Sequence, residues 1–260
     1  MTDLVTKAAD MLAEARATRR AIPPLGPSLG LTDAATAYEV QETNTRRWLA
    51  EGRRVVGRKI GLTSKAVQAQ LGVDQPDYGM LWADWCFAEG ETVSVSRLIQ
   101  PRAEAEIAFV MDRAVGHVDA SMTDLVAAIG YAVPALEIVD SAIADWKITL
   151  ADTIADNASG AGFVLGTSPR KVTDIDLRLC GMVLSKNDAP VSLGVGAACL
   201  GHPLAATLWL ARTMARVGRP LQAGDVVLSG ALGPMVGVGS GDRMHVEIQG
   251  FAPFTVPFGD

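Results

Sequence analysis

Two hydrophobic rhythms divide the chain. Leu4, Ala8, Met11, Leu12 and Ala15 recur at three- and four-residue spacings and predict an amphipathic helix over residues 2–21. The prolines and glycines of Ile22-Pro-Pro-Leu-Gly-Pro-Ser-Leu-Gly30 prevent its continuation. Thr32 then stands as N-cap of a second helix reaching about residue 52, with Ala37, Val40 and Trp48 turned inward. These helices read as an appendage over residues 1–53. From residue 54 the rhythm shortens to apolar runs punctuated by glycine, at 55–60, 92–95, 107–111, 136–139, 163–165 and 182–184, which predict strands. Helices are expected between them at 64–71, at 121–129, where Ser121 and Asp124 have capping-box spacing, and at 204–217. The expected fold class is α+β, a helical region followed by a strand-rich body over 54–260.

The strands carry the chemistry. In extended chain, residues i and i+2 share a face roughly 7 Å apart, so Glu104 and Glu106 project together while Ile107, Phe109 and Met111 line the other side. A further carboxylate, Glu137, lies in the apolar run Val133-Pro-Ala-Leu-Glu-Ile-Val139. Like charges this close on an apolar strand raise each other's pKa unless a cation sits between them. Three carboxylates with no soft ligand suit a hard divalent ion such as Mg²⁺ or Mn²⁺, which leaves positions open for water and substrate. A solvent-facing polar edge with Arg102 as salt-bridge partner also fits the spacing.

Composition narrows the function class. At 260 residues the chain can build a sizeable core without covalent staples. A formal net charge of -6 disfavours nucleic acid or an anionic membrane surface as partner, but allows a small anionic substrate where a metal or lysine offsets the charge. Cys86, Cys180 and Cys199 are odd in number and widely spaced, as expected of reduced packing residues in a cytoplasmic protein. Residues 1–20 are charged throughout, without a signal-peptide core, and no apolar run is long enough to span a membrane. Gly194-Val-Gly196 misses the dinucleotide fingerprint and reads as a turn. The segment from Gly224 through Gly230 to Gly237 reads as a short strand entering a loop of exposed N–H groups able to hold a carboxylate, or else as tight turns of a barrel-like sheet.

Longer blocks carry a resemblance: Gly57-Arg-Lys-Ile-Gly-Leu-Thr-Ser64, Gln70-Leu-Gly-Val-Asp-Gln-Pro-Asp-Tyr-Gly79, Gln100-Pro-Arg-Ala-Glu-Ala-Glu-Ile-Ala108, Asp152-Thr-Ile-Ala-Asp-Asn-Ala-Ser159, Ala198-Cys-Leu-Gly-His-Pro-Leu204 and Leu228-Ser-Gly-Ala-Leu-Gly-Pro-Met-Val236. In order and over nearly the whole chain, they resemble the 2-keto-4-pentenoate (2-hydroxypenta-2,4-dienoate) hydratase family of the fumarylacetoacetate hydrolase superfamily. The resemblance implies a mixed β-roll or barrel-like catalytic body and a Mg²⁺- or Mn²⁺-dependent enzyme of meta-cleavage aromatic catabolism. It also implies a homo-oligomer, with a complex with another pathway enzyme as a further expectation.

Carried over residue by residue, the resemblance places the metal on Glu104, Glu106 and Glu137, which outweighs the solvent-edge alternative. It puts acid–base chemistry on Lys59 and Asp77, and substrate contacts on Ser159 and on Ser229, Gly230, Ala231 and Leu232. Lys59 in an apolar strand is expected to have a lowered pKa, while also fitting a counter-ion to the carboxylates. Asp77 is expected in a Pro-Asp-Tyr-Gly turn. The implied reaction protonates the terminal carbon of a 2-hydroxy-2,4-dienoate and adds water at carbon 4, giving 4-hydroxy-2-oxopentanoate. Three alternatives compete with it. One is 4-oxalocrotonate decarboxylase. Another is hydrolytic carbon–carbon cleavage, for which His117, His202 and His245 offer no water-activating pair, His202 instead ordering a turn. The last is a non-catalytic scaffold subunit. Leu193 and the small run Gly160-Ala-Gly162 are the positions expected to alter pocket size.

Overall fold

The computed structural model describes every residue except Met1, Ala66, Val67, Gln70, Leu71 and Gly72, so the helix expected at 64–71 lies partly outside the described residues. Helix α1 (Thr2–Thr18), the short α2 (Leu25–Leu29) and α3 (Ala34–Ala50) open the chain. Asp33, not Thr32, caps α3, its carboxylate accepting from Thr36 N at 2.8 Å. The helices expected as an appendage share a core with the body. Val5, Ala8, Leu12, Ala15, Leu25, Ala37 and Val40 pack with Ala142, Ile143, Ala151 and Ile154, because the apolar stripes of two helices bury little against each other alone. Arg16 of α1 fixes this contact, donating to Asp156 Oδ1 at 2.9 Å and to the Asp140 carbonyl at 2.9 Å.

Among the described residues the strands form two sheets. The larger runs β2 (Asp77–Trp82), β1 (Val55–Gly61), β10 (Val226–Leu228), β5 (Pro101–Met111), β6 (Ile129–Asp140), β7 (Gly160–Leu165) and β3 (Cys86–Phe87), with β11 (Val236–Gly237) also on β5. It is mixed, β1 with β10 and β7 with β3 being parallel pairs, and it curls into a half-barrel. The smaller sheet runs β4 (Val93–Ser94), β13 (Phe254–Gly259), β12 (Arg243–Ile248), β8 (Gly181–Lys186) and β9 (Ala189–Val195).

Several strands differ in extent from their hydrophobic runs. The runs at 107–111 and 136–139 are only parts of strands of 11 and 12 residues; Glu104 and Glu106 lie in the remaining length of the first, and Glu137 lies within the second run. The run at 92–95 keeps two residues as a strand and then turns into a 3₁₀ segment. Gly194 is not in a turn. It lies within β9, where a Cβ would collide with the Leu232 carbonyl, so its missing side chain lets β9 run against the loop after β10. The helix Met122–Ala128 has both capping-box hydrogen bonds of Ser121 and Asp124. His202 caps the helix Pro203–Arg216, its Nδ1 accepting from Leu204 N at 3.0 Å.

The two faces of the large sheet part company. Ile107, Phe109, Met111, Leu136 and Ile138 face outward into the main core, shared with Leu184, Val246 and Leu210 of the second sheet and the helix Pro203–Arg216. The inner face holds a separate apolar floor of Leu81, Ala108, Val133, Ala135, Phe163 and Leu228. Beside that floor lie the charged residues.

Candidate active site

Strand register assembles the site. On the β5–β6 ladder Glu104 stands directly opposite Glu137 and Glu106 opposite Ala135, with Glu137 facing Phe163 on β7. Ala108 continues this row to Leu228, Leu228 lies beside Lys59, and Lys59 is opposite Gly79. Ladder partners share a face, so residues far apart in sequence, such as Lys59 and Glu137, 78 positions apart, share the concave side. One oxygen from each of Glu104, Glu106 and Glu137 falls within 4.8 Å of the others. Glu106 and Glu137 are wholly buried and Glu104 half-buried, which removes the solvent-edge alternative. Arg102, its proposed salt-bridge partner, instead stacks over Trp146 at 4.5 Å.

Burial is the first cause of the electrostatics here. It pushes the Glu137 carboxyl up to about 7, against the opposing pull of Lys59, and pushes Glu106 well above the usual range, with Glu137 and Glu104 adding repulsion. Glu104 is raised by burial too. Lys59 departs from the sequence expectation. Burial pulls its pKa down, but Glu137, Asp77, Glu104 and Glu106 together outweigh that pull, and the net shift is upward. The ammonium is fixed by a 3.2 Å ion pair with Glu137 Oε1 and a 2.8 Å hydrogen bond to the Ala158 carbonyl.

Asp77 is the first residue of β2, paired with Gly61, and not part of a turn. Its Oδ2 accepts from Thr153 Oγ1 at 3.1 Å, and its buried Oδ1 has no hydrogen-bond partner. Burial raises this carboxyl as well, with Lys59 opposing.

The substrate-contact candidates come from two loops. Ser159 and Ser229 are buried, and both hydroxyls lack a partner. Gly230, at φ 110, directs its N–H to Glu106 Oε2 at 2.8 Å, so the loop's donor serves a carboxylate of the protein itself. Ala231 is half-buried, while Leu232 sends its side chain into the main core and its N–H to the Ala105 carbonyl at 3.0 Å. Gly160 places β7 against the cluster, its Cβ position 3.7 Å from Glu137 Oε1, whereas Leu193 is 67% exposed on β9 and does not shape the site. Sequence reading missed the residues that hold the others: Thr153, Asn157, the Ala158 carbonyl and the Gly61 gap. Apart from Gly61 they fall within Asp152-Thr-Ile-Ala-Asp-Asn-Ala-Ser159, a block whose polar density inside an apolar neighbourhood was the available signal.

The carboxylates suit a divalent metal. Glu106 Oε1 and Glu137 Oε2 are buried without hydrogen-bond partners, and Glu137 Oε1 has only its ion pair, leaving lone pairs of hard oxygen donors unsatisfied at one point.

Comparisons with known proteins show the family and the fold. Residues 44–258 match the family model described as fumarylacetoacetate (FAA) hydrolase C-terminal. The chain is 56% identical over 257 residues to the TodF product hydratase of Pseudomonas putida, covering 99% of this chain and 96% of that protein. It is 56% identical over 251 residues to 2-keto-4-pentenoate hydratase 1 of Dechloromonas aromatica, covering 96% and 95% respectively. Among solved structures, the 4-oxalocrotonate decarboxylase from Pseudomonas putida G7, complexed with magnesium and adipate, matches with a TM-score of 0.95 at 35% identity, over 99% of this chain and 98% of that one. Among the described residues no helix is long and apolar enough to cross a membrane.

Proposed function

The chain belongs to the 2-keto-4-pentenoate hydratase family of the fumarylacetoacetate hydrolase superfamily, and on that premise we propose how its buried site works. The protein is a hydro-lyase of meta-cleavage aromatic catabolism that adds water to 2-hydroxypenta-2,4-dienoate, giving 4-hydroxy-2-oxopentanoate. One observation supports the residue roles above all. Of the eight buried side-chain nitrogen and oxygen atoms without a hydrogen-bond partner among the described residues, six belong to Asp77, Glu106, Glu137, Ser159 and Ser229. Buried polar groups are ordinarily partnered, so this concentration marks where ligand atoms belong.

Glu104, Glu106 and Glu137 would hold Mg²⁺ or Mn²⁺, which when bound supplies a positive charge to polarise the oxygens at the carboxylate end of the substrate. The Ser159 and Ser229 hydroxyls donate to substrate oxygens, and the backbone of 230–232 walls the pocket. Lys59 and Asp77 divide two proton transfers. One delivers a proton to the terminal carbon and takes up the 2-hydroxyl proton, giving the unsaturated 2-oxo acid. The other takes a proton from water as its oxygen bonds to carbon 4 and returns a proton to carbon 3. Asp77 suits proton acceptance through Oδ1, since Thr153 holds only Oδ2. Lys59 suits donation, since its neighbours keep it charged.

The division into a helical region over 1–53 and a catalytic body over 54–260, a cytoplasmic location and association with another pathway enzyme belong to the same reading. So does a homo-oligomer, supported by the exposed Leu179, Val191 and Leu193 around the β8–β9 edge.

The test is turnover of Lys59→Ala and Asp77→Asn. Each is expected to keep Mg²⁺ and substrate-analogue binding while losing about 10²- to 10⁴-fold in kcat. One variant should still exchange solvent deuterium into the terminal carbon without forming hydrated product. Near wild-type turnover in both variants would overturn the assignment.

A further inference from the structure

Asn157, Ala158 and Ser159 have φ of 55°, 51° and 54°, three consecutive non-glycine residues in the left-handed region between the helix Leu150–Ala155 and β7. Single residues visit this region and runs of them do not, because each Cβ crowds the following carbonyl. Such a run persists only where its surroundings hold it.

Asn157 is what holds it. Its buried side chain brackets one residue of β2, Oδ1 accepting from Met80 N at 2.7 Å and Nδ2 donating to Met80 O at 3.0 Å. Its own carbonyl lies where a Cβ on Gly79 would stand, so the bracket closes only against a glycine. The left-handed turn then aims the next carbonyl, that of Ala158, at Lys59 Nζ, 2.8 Å away. Glu137 Oε1 is 3.2 Å from the same nitrogen. An ammonium carries three N–H donors; with the Ala158 carbonyl and Glu137 engaging two, one is left for the substrate.

We propose that Asn157 is a positioning residue for the hydration reaction: by bracketing Met80 it holds the left-handed turn that presents the Ala158 carbonyl to Lys59 and so aims the remaining ammonium N–H at the reacting carbon. This rests on the role proposed for Lys59. The main chain, by this means, orients the proton donor without touching substrate.

A double-mutant cycle tests it, with wild type, Lys59→Ala, Asn157→Gly and the double variant compared in kcat on 2-hydroxypenta-2,4-dienoate with Mg²⁺. Glycine removes the bracket yet accepts positive φ, so the fold is spared a further backbone strain. Asn157→Gly is expected to lower kcat about tenfold or more, with KM and the Mg²⁺ Kd within about threefold of wild type. In the Lys59→Ala background it should slow turnover less than about twofold, because the group it acts through is gone. Asn44→Ala, which removes a comparable buried amide hydrogen bond to Ala9 O on the helical side, should leave kcat within about twofold. Should Asn157→Gly fail to fold, Asn157→Asp keeps the acceptor for Met80 N and loses the donor to Met80 O, and the same pattern is expected.

Wild-type kcat in a folded Asn157 variant would overturn the proposal. Equal slowing by Asn157→Gly with and without Lys59 would overturn it too. If Lys59→Ala alone kept wild-type turnover, the role given to Lys59 would fall first and the positioning role with it, which the single variant reports separately.

Discussion

Asp77 Oδ1 occupies the space that a Cβ on Gly61 would need, the two residues facing each other across the β1–β2 ladder. Thr153 ties the other oxygen, so the carboxylate cannot swing aside without losing that bond. Gly61→Ala is therefore expected to displace Asp77 and lower kcat about tenfold or more, while Mg²⁺ affinity stays near wild type. Steady-state kinetics beside titration calorimetry checks this, and an unchanged kcat would show that the placement of Asp77 is not needed.

The carboxylate cluster predicts a ligand-linked stability. A cation that binds the folded chain alone raises Tm by mass action, so Mg²⁺ is expected to stabilise the wild type. Glu106→Gln should bind Mg²⁺ far more weakly and lose most of that rise in Tm. Wild-type Mg²⁺ affinity in this variant would sink the metal assignment.

The metal-free protein should lose stability as pH rises from about 4.5 to 7. Burial raises Glu137 from an ordinary 4.5 to about 7 and raises Glu106 well above the usual carboxylate range as well. Between the unfolded and folded values the native state holds protons that the unfolded chain releases, so stability is greatest below the unfolded pKa and declines with rising pH. Melting curves in chelator across this range should slope downward, less steeply in Glu137→Gln. A rise in Tm through the same window would contradict the protonation argument.

Arg16→Ala is expected to destabilise the fold by about 3–5 kcal/mol, because it leaves a buried carboxylate without its cation. Asp156 is nearly inaccessible, its Oδ1 2.8 Å from Arg16 Nη2, and even with that partner burial holds its carboxyl at about 6. Urea unfolding measures the loss. A change below 1 kcal/mol would show that α1 contributes little through this contact.

Substrate choice separates the hydratase from the decarboxylase whose structure it resembles. Lys59 is the buried lysine of the inner face among the described residues, and it is engaged by Glu137 and Ala158, while the floor beside it is apolar. Among the described residues no second buried cation on that face awaits a distal carboxylate. Hydration of 2-hydroxypenta-2,4-dienoate should exceed carbon dioxide release from 4-oxalocrotonate by about 10²-fold in kcat/KM with Mg²⁺. Equal rates would favour decarboxylation.

The sequence by itself determined local matters. The period-2 alternation put Glu104 and Glu106 on one face and Ile107, Phe109 and Met111 on the other, as the structure has them. Helical spacing placed α1, α3 and the helix Pro203–Arg216 within a few residues of their observed ends. The resemblance supplied Lys59 and Asp77 as partners, which spacing could not, because they lie on other strands. Only tertiary structure decided what depends on neighbours distant in sequence. The register of β6 on β5 sets Glu137 opposite Glu104, and the parallel pairing of β1 with β10 brings Lys59 to the same face. The pKa of Lys59 reversed its expected direction because four carboxylates converge on it from other elements. Asp77 is a strand residue because its backbone pairs with Gly61 across the β1–β2 ladder, and the helices of the first fifty residues share a core with residues 142–155 because their apolar stripes bury little against each other alone. Alternation is a property of neighbouring peptide units and can be read along the chain; electrostatic environment and register are properties of what the folded chain brings alongside.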